Sequence, residues 1–341
     1  MESYIKKELK LTAGSNCLYT NISDATKYYC NDLEEYEIFF LSDGLRCSYS
    51  RSCTGIDIQL HRKVVVNNYD TIVRNYAKEI NALAMIEYNS KSMTFIEVLT
   101  KAIDSDNPII LILNSKCLKY QTPPSHLVDV DAMHAIIVHG FDSKNEKIFI
   151  YDSYVYDDMQ NPIPYYKSEL TYETVLENAY ASIWFDFGPY KQLSKEYIFN
   201  KIIHNLKSFL NMTDDEDGII GIKAFEQCIK DMELLKSADL DEAKTEFNEL
   251  FYLFKVRFSF ANNYLLRFIS DCQYIDSSKK EQLTKAVEAL IKDWNNYLMK
   301  MLIGSCMGNE KVIDRIISSG LLLSAKQKSV MSEIVDVIGS F

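Results

Sequence analysis

The stretch MHAIIVHGFDSKNEKIFIYDSY, residues 133–154, reads as two strands around a polar turn near DSKNEK (142–147). Both runs are short and rich in β-branched and aromatic residues, and a polar, turn-forming cluster separates them. His134 opens the first strand and Asp152 closes the second. In an antiparallel hairpin those two ends are neighbours. With the turn centred near residue 144, position 134 faces about 154, and Asp152 lies one diagonal step away. An even pairing sum then sets both side chains on one face. A carboxylate in that place orients an imidazole and fixes its tautomer. His139, five residues on, alternates to the opposite face and reads as a half-buried strand histidine.

An oriented imidazole is a base in search of a nucleophile. GSNCLYTNISDATKYYC (14–30) offers one: Cys17 follows Gly-Ser-Asn and opens a helical pattern with Leu18, Ile22, Ala25 and Tyr29 on one side. Backbone N–H groups and the helix dipole stabilise an anion at such a position, which makes a thiol there a usable nucleophile. The alternative reading is a small core hydrophobe. Cys17, His134 and Asp152 together favour chemistry.

Outward from these pieces, EIFFL (37–41), KVVVNNY (63–69), PIILILN (108–114) and SIWFDF (182–187) read as further strands. Helical patterns are expected at 17–30, 70–84, 93–105 and 172–179. GPYKQLS (188–194) marks a boundary, after which only helices follow, about five of them. Thr213-x-x-Glu216, Ser278-x-x-Glu281 and Ser324-x-x-Gln327 carry the capping-box spacing of helix starts. Val287, Leu290, Ile291, Trp294, Leu298 and Met301 form a stripe of helical period. The expected architecture is α+β over residues 1–190, followed by an all-α bundle over 191–341.

The chain of 341 residues is 47% hydrophobic and 25% charged, which suits two globular domains. A net charge of −11 argues against a broad nucleic-acid footprint. No apolar run is long enough to span a bilayer, and the first residues lack a secretory core, so a cytoplasmic location is expected. The eight cysteines form no C-x-x-C pair and the five histidines do not cluster, so no metal or other cofactor is expected.

Cysteine at a helix start, then histidine at a strand start, then Asp or Asn after the next strand, is similar to the papain-like order. More closely, the chain resembles the N-terminal domain of the butirosin biosynthesis protein H family. The resemblance rests on NCLYTNISDATKYY, EIFFLSDGLRCSYS (37–50), NPIILILNSKCLKY (107–120), the histidine hairpin, and SELTYETVLENAYASIWF (168–185). GIIGIKAFEQCIKDM (218–232) resembles the helical domain that follows in that family. The resemblance implies a papain-like acyltransferase of specialised metabolism. Such an enzyme takes an acyl or aminoacyl group from a phosphopantetheine thioester on an acyl or peptidyl carrier protein and passes it through an enzyme thioester to an amine. It implies Cys17 as nucleophile, His134 as base and Asp152 as orienter.

One departure stands out. Papain-like peptidases carry an oxyanion-stabilising Gln about six residues before the cysteine; here that position is Leu11, and no Gln lies upstream. The Cys17 N–H supplies one donor, and the side chains of Asn16 and Asn21 are candidates for another. The competing readings are a cysteine peptidase or amidase with the same residues, and a catalytically silent assembly-line scaffold. HRK (61–63) and KCLK (116–119) are candidate basic docking patches, or ordinary solvated surface.

Overall fold

A computed structural model of the chain describes residues 4–6, 8–29, 32–50, 59–120, 133–156, 162–163, 165–188, 191–211 and 218–338. In chain order the elements are β1 (Tyr4–Lys6), α1 (Cys17–Tyr29), α2 (Glu35–Leu41), β2 (Cys47–Ser50), α3 (Leu60–Lys63), β3 (Val64–Val66), α4 (Tyr69–Glu79), β4 (Leu83–Tyr88), α5 (Met93–Asp104) and β5 (Ile109–Asn114). Then come β6 (Met133–Asp142), β7 (Lys147–Asp152), β8 (Val155–Tyr156), β9 (Pro162–Ile163), β10 (Tyr166–Thr171), α6 (Tyr172–Asn178) and β11 (Ala179–Asp186). The remainder is α7 (Lys195–Asn211), β12 (Gly218–Ile220), α8 (Ile222–Asp231), α9 (Leu240–Phe254), α10 (Phe260–Asp271), α11 (Ser277–Met307) and α12 (Glu310–Ile338). They form two compact units, Met1–Ile38 with Tyr69–Leu193, and Phe39–Asn68 with Ser194–Phe341. The last crossing lies close to the boundary expected from GPYKQLS. Residues 39–68, expected in the first half, belong to the second unit.

The first unit is mixed helix and antiparallel sheet. Its strands run β10-β7-β6-β5-β11-β4, with β1 paired to the last residues of β6. At the centre, Ile109 to Leu113 of β5 are fully buried. Such a strand reads as a continuous apolar run because both its faces are covered. One face packs Leu111 and Leu113 against Phe95, Ile96 and Leu99 of α5 and Val175 of α6. Truncating one such Leu or Ile to alanine costs about 2–5 kcal/mol.

The β6–β7 hairpin changes phase. From Asp142↔Lys147 to Gly140↔Phe149, paired numbers differ in parity; at Val138↔Ile150 and Ile137↔Tyr151 they share it, as the register shifts between Val138 and Gly140. The extra residue at His139 is a β-bulge, which bends the strand and re-aims the residues beyond it. It keeps Ile136, Val138 and Phe141 in one buried cluster despite their uneven spacing.

The second unit is helical, with one small sheet, β12-β2-β3. Helices α9 and α10 are continuous through a π-helical stretch, Lys255–Ser259. Helices α11 and α12, of 31 and 29 residues, pack as a hairpin. Gly308, at φ 59°, ends α11 in the left-handed conformation that glycine adopts without strain. The expected stripe on α11 is largely interior: Val287, Leu290, Trp294, Leu298 and Met301 are buried.

Several local expectations are corrected. EIFFL is not a strand but the body of α2; a short apolar run cannot separate the two states. The decisive residue is Glu37, whose carboxylate accepts from the Glu34 N–H at 2.9 Å, the backward half of a capping box. The helix expected over 70–84 stops at Glu79, because Asn81 takes φ 55° and β4 follows. Ser324 and Gln327 lie inside α12, where Ser324 donates to Glu226 and Gln327 accepts from Trp294 Nε1 at 2.7 Å. The box at Thr213–Glu216 falls outside the described residues. Helix α11 is capped not by Ser278 but by Asp276, which accepts from Lys279 N.

Candidate functional site

Cys17 is the first residue of α1 and is partly exposed. The amides around it are occupied in an ordered way. Glu35, buried at the start of α2, accepts from Ser15 N at 3.1 Å and Asn16 N at 2.7 Å. Asn16 Oδ1 accepts from Leu18 N at 3.0 Å and Tyr19 N at 3.4 Å, the geometry of an N-cap. Thr20 N donates to Asn16 O at 3.0 Å. Among the described residues this leaves the Cys17 N–H as the one amide of residues 15–20 without an acceptor. A second tie holds the loop before Cys17: Gly14 N donates to Ser153 O at 3.2 Å.

His134 and Asp152 stand at the ends of β6 and β7 and are both buried. His134 Nε2–H donates to Asp152 Oδ2 at 2.8 Å. Cys17 stands near the same imidazole, close enough for its charge to act on it. Burial alone would push the His134 pKa down. The charges of Asp152 and Cys17 and the hydrogen bond to Asp152 outweigh it, and hold His134 well above its ordinary 6.5. The structure therefore brings Cys17, His134 and Asp152 together, with His134 and Asp152 hydrogen-bonded. His139 is elsewhere: its ring stacks on Tyr151 at 3.8 Å and 17°.

Asp152 is more fully held than its sequence position suggests. Tyr120 Oη donates to Oδ2 at 3.0 Å, and Tyr154 N donates to Oδ1 at 3.0 Å. Tyr120 is in turn stacked on Tyr166 at 4.4 Å. Reading the sequence missed Tyr120 and Glu35. The first belongs to the segment after β5, which carried no chemical motif, and the second was hidden by assigning EIFFL to a strand. Of the two candidate oxyanion donors, Asn21 is engaged elsewhere. Asn21 Nδ2 donates to Ala135 O at 2.7 Å, whereas Asn16 uses only its Oδ1 to cap α1. HRK is no open basic patch, since His61 pairs with Glu246 at 2.7 Å and Lys63 is buried. Among the described residues there is no group of three His, Cys, Asp or Glu arranged to hold a metal ion, and no helix is long and apolar enough to cross a membrane.

One buried carboxylate supports this site from behind. Asp24 of α1 accepts from Thr12 Oγ1 at 2.8 Å and from Ser153 Oγ at 3.0 Å, next to Asp152. Burial raises its pKa from 3.8 to about 6, against the pull of those donors and of Lys27. A raised carboxylate pKa means that the folded state prefers the protonated form. The contribution is complete below pH 3.8 and is lost as the pH rises through about 6. Asp24→Asn keeps the shape without the charge. It is expected to raise thermal stability at pH 8, by up to about 3 kcal/mol, and to change little at pH 4. Melting curves at the two pH values check this; an equal effect at both would remove the burial argument.

One mixed α/β unit thus holds the helix-start Cys17, the strand residue His134 and the buried Asp152. Residues 16–153 match the family model for butirosin biosynthesis protein H, N-terminal. That stretch, which runs from the cap of α1 to the residue after Asp152, is similar to the N-terminal domain of butirosin biosynthesis protein H. Among curated proteins, a search found no match to the chain.

Proposed function

We propose that the protein is a papain-like, cysteine-dependent acyltransferase of natural-product biosynthesis. It takes an acyl or aminoacyl group from a carrier-protein thioester and forms an amide on a small-molecule amine. The observation that supports this reading is the His134–Asp152 hydrogen bond beside Cys17, inside the family-matched stretch.

In the proposed reaction the Cys17 sulfur attacks the thioester carbonyl, and a C–S bond to the enzyme forms as the bond to the phosphopantetheine sulfur breaks. The departing thiolate takes a proton from His134. The amine then attacks the enzyme thioester, gives a proton to His134, and Cys17 leaves as thiolate. Asp152 holds the imidazole in the tautomer these transfers need. The unoccupied Cys17 N–H is suited to stabilise the oxyanion of both steps.

The engaged Asn21 amide and the lack of a Gln upstream of Cys17 favour transfer from a thioester over hydrolysis of an amide. A thioester is already activated and reacts with less oxyanion stabilisation. Intact-protein mass spectrometry after incubation with a panel of acyl-pantetheine thioesters tests the proposal. A mass increase equal to one acyl group on Cys17, discharged faster by amines than by water, is expected. Faster discharge by water would make the protein a hydrolase, and no adduct with any donor would leave a silent scaffold.

A further inference from the structure

Asp152 Oδ2 accepts from two donors at once, His134 Nε2–H at 2.8 Å and Tyr120 Oη–H at 3.0 Å. The reaction proposed above uses the first and assigns nothing to the second. The fold nonetheless places that hydroxyl through several independent contacts. After β5, Asn114 Oδ1 accepts from Lys116 N at 3.0 Å and turns the chain through the short 3₁₀ stretch Ser115–Cys117. Leu118 then enters the core that holds Leu111 and Leu113, and Tyr120 packs against the same cluster. Tyr166 lies opposite Asp152 in the β7–β10 ladder, and its ring stacks on that of Tyr120 at 4.4 Å and 26°. The ring is thus held by packing, and the hydroxyl is aimed at the carboxylate.

That hydroxyl stays a donor. Burial and the charge of Asp152 push it far above its ordinary 10. Among the described residues, the other titratable groups that act on this corner are Cys17 on His134, and Cys117 and Tyr166 on Tyr120. Cys117 is a neutral thiol, since burial pushes it up to about 11. Asp24 reaches the same corner through Ser153 Oγ, at 3.0 Å.

A hydrogen bond to a carboxylate stabilises its charge, and a carboxylate so stabilised attracts an imidazolium less. Tyr120 and His134 therefore compete for one oxygen. Tyr154 N holds the other, Oδ1, at 3.0 Å, which keeps the carboxylate from turning. The proposed transfers need an imidazole that takes a proton from the amine and returns one to a departing thiolate. Held too firmly as imidazolium, it would return that proton slowly.

We propose that Tyr120 is a positioning residue of this site: its hydroxyl fixes the Asp152 carboxylate and moderates the grip of that carboxylate on His134. The inference rests on the reading of His134 as the proton carrier beside Cys17.

Tyr120→Phe tests it, because it keeps the ring and the stack on Tyr166 and removes only the hydroxyl. In histidine-labelled full-length protein, with His134→Ala to assign the signal, NMR follows the His134 imidazole as the pH is varied. In Tyr120→Phe its midpoint should rise by about half to one pH unit, the net worth of one hydrogen bond. Acyl-enzyme formation should slow by about 3- to 10-fold, with KM little changed. In an Asp152→Asn background the same substitution should leave the midpoint where it is, because the hydroxyl acts only through the carboxylate. The titration needs no acyl donor, so it decides the role of Tyr120 even if no thioester acylates Cys17, a result that would overturn the reaction instead. A midpoint in Tyr120→Phe equal to or below that of the wild type, or an equal rise in the Asp152→Asn background, overturns the proposal.

Discussion

Replacing Cys17 with alanine is expected to remove acyl-enzyme formation and amide synthesis together, with a loss of about four orders of magnitude or more in turnover. In the proposed mechanism the sulfur is the covalent carrier of the acyl group, so no other residue can stand in for it. The fold should survive. Cys17 is partly exposed, and the start of α1 is held by Asn16, Glu35 and the Gly14–Ser153 hydrogen bond, none of which uses the thiol. Product formation and intact mass, measured beside a melting curve, separate the two effects. Full activity in Cys17→Ala would end the covalent mechanism, whatever became of the other residues.

Removing His134 should cost about 10²- to 10⁴-fold in rate, the usual worth of a general base, whereas removing His139 should act through stability. The two histidines are five residues apart on one strand, yet only His134 meets Asp152. His139 stacks on Tyr151, and losing that stack should cost about 1 kcal/mol beyond the buried area. The pH dependence has a definite sign. Because the folded state holds His134 above its ordinary value, the contribution of its protonated form to stability is complete below pH 6.5 and fades as the pH climbs through the raised value. In His134→Ala that dependence should be absent, and thiol alkylation of Cys17 near pH 6 should slow. Steady-state rates of both alanine variants, with unfolding curves, check the contrast. Equal catalytic losses would show that the two side chains share a function.

How far the sequence alone reaches is clearest at this hairpin. The turn, the strand ends and the expectation that residue 134 faces about 154 can be read from composition and alternation. The pairing Ile137↔Tyr151 continues to that same register. Its cause is not the one alternation supplies. Beyond the bulge, nearer the turn, the parity is the opposite, and an unbroken ladder would have carried Asp152 to the face away from His134. The uneven run of Ile136, Val138 and Phe141 holds the trace of this, but only the buried cluster gives it meaning. Glu35 and Tyr120 were illegible for another reason. Each acts through contacts made across the fold, to an amide 19 residues away and to a carboxylate 32 residues away. No local pattern encodes such partners. The helix at EIFFL failed at the level of period, since four apolar residues in a row fit either state.

The small sheet of the helical unit has a bearing on how the chain matures on the ribosome. Strands β2 and β3 emerge early, but their partner β12 is synthesised some 150 residues later, after the whole of the first unit. At about 5–20 residues per second that interval lasts on the order of ten seconds. Through it, Cys47–Ser50 and Val64–Val66 have each other but not the third strand, and the nascent polypeptide must carry an unfinished ribbon while its neighbours fold. A stop codon placed after the first unit would make that waiting state permanent.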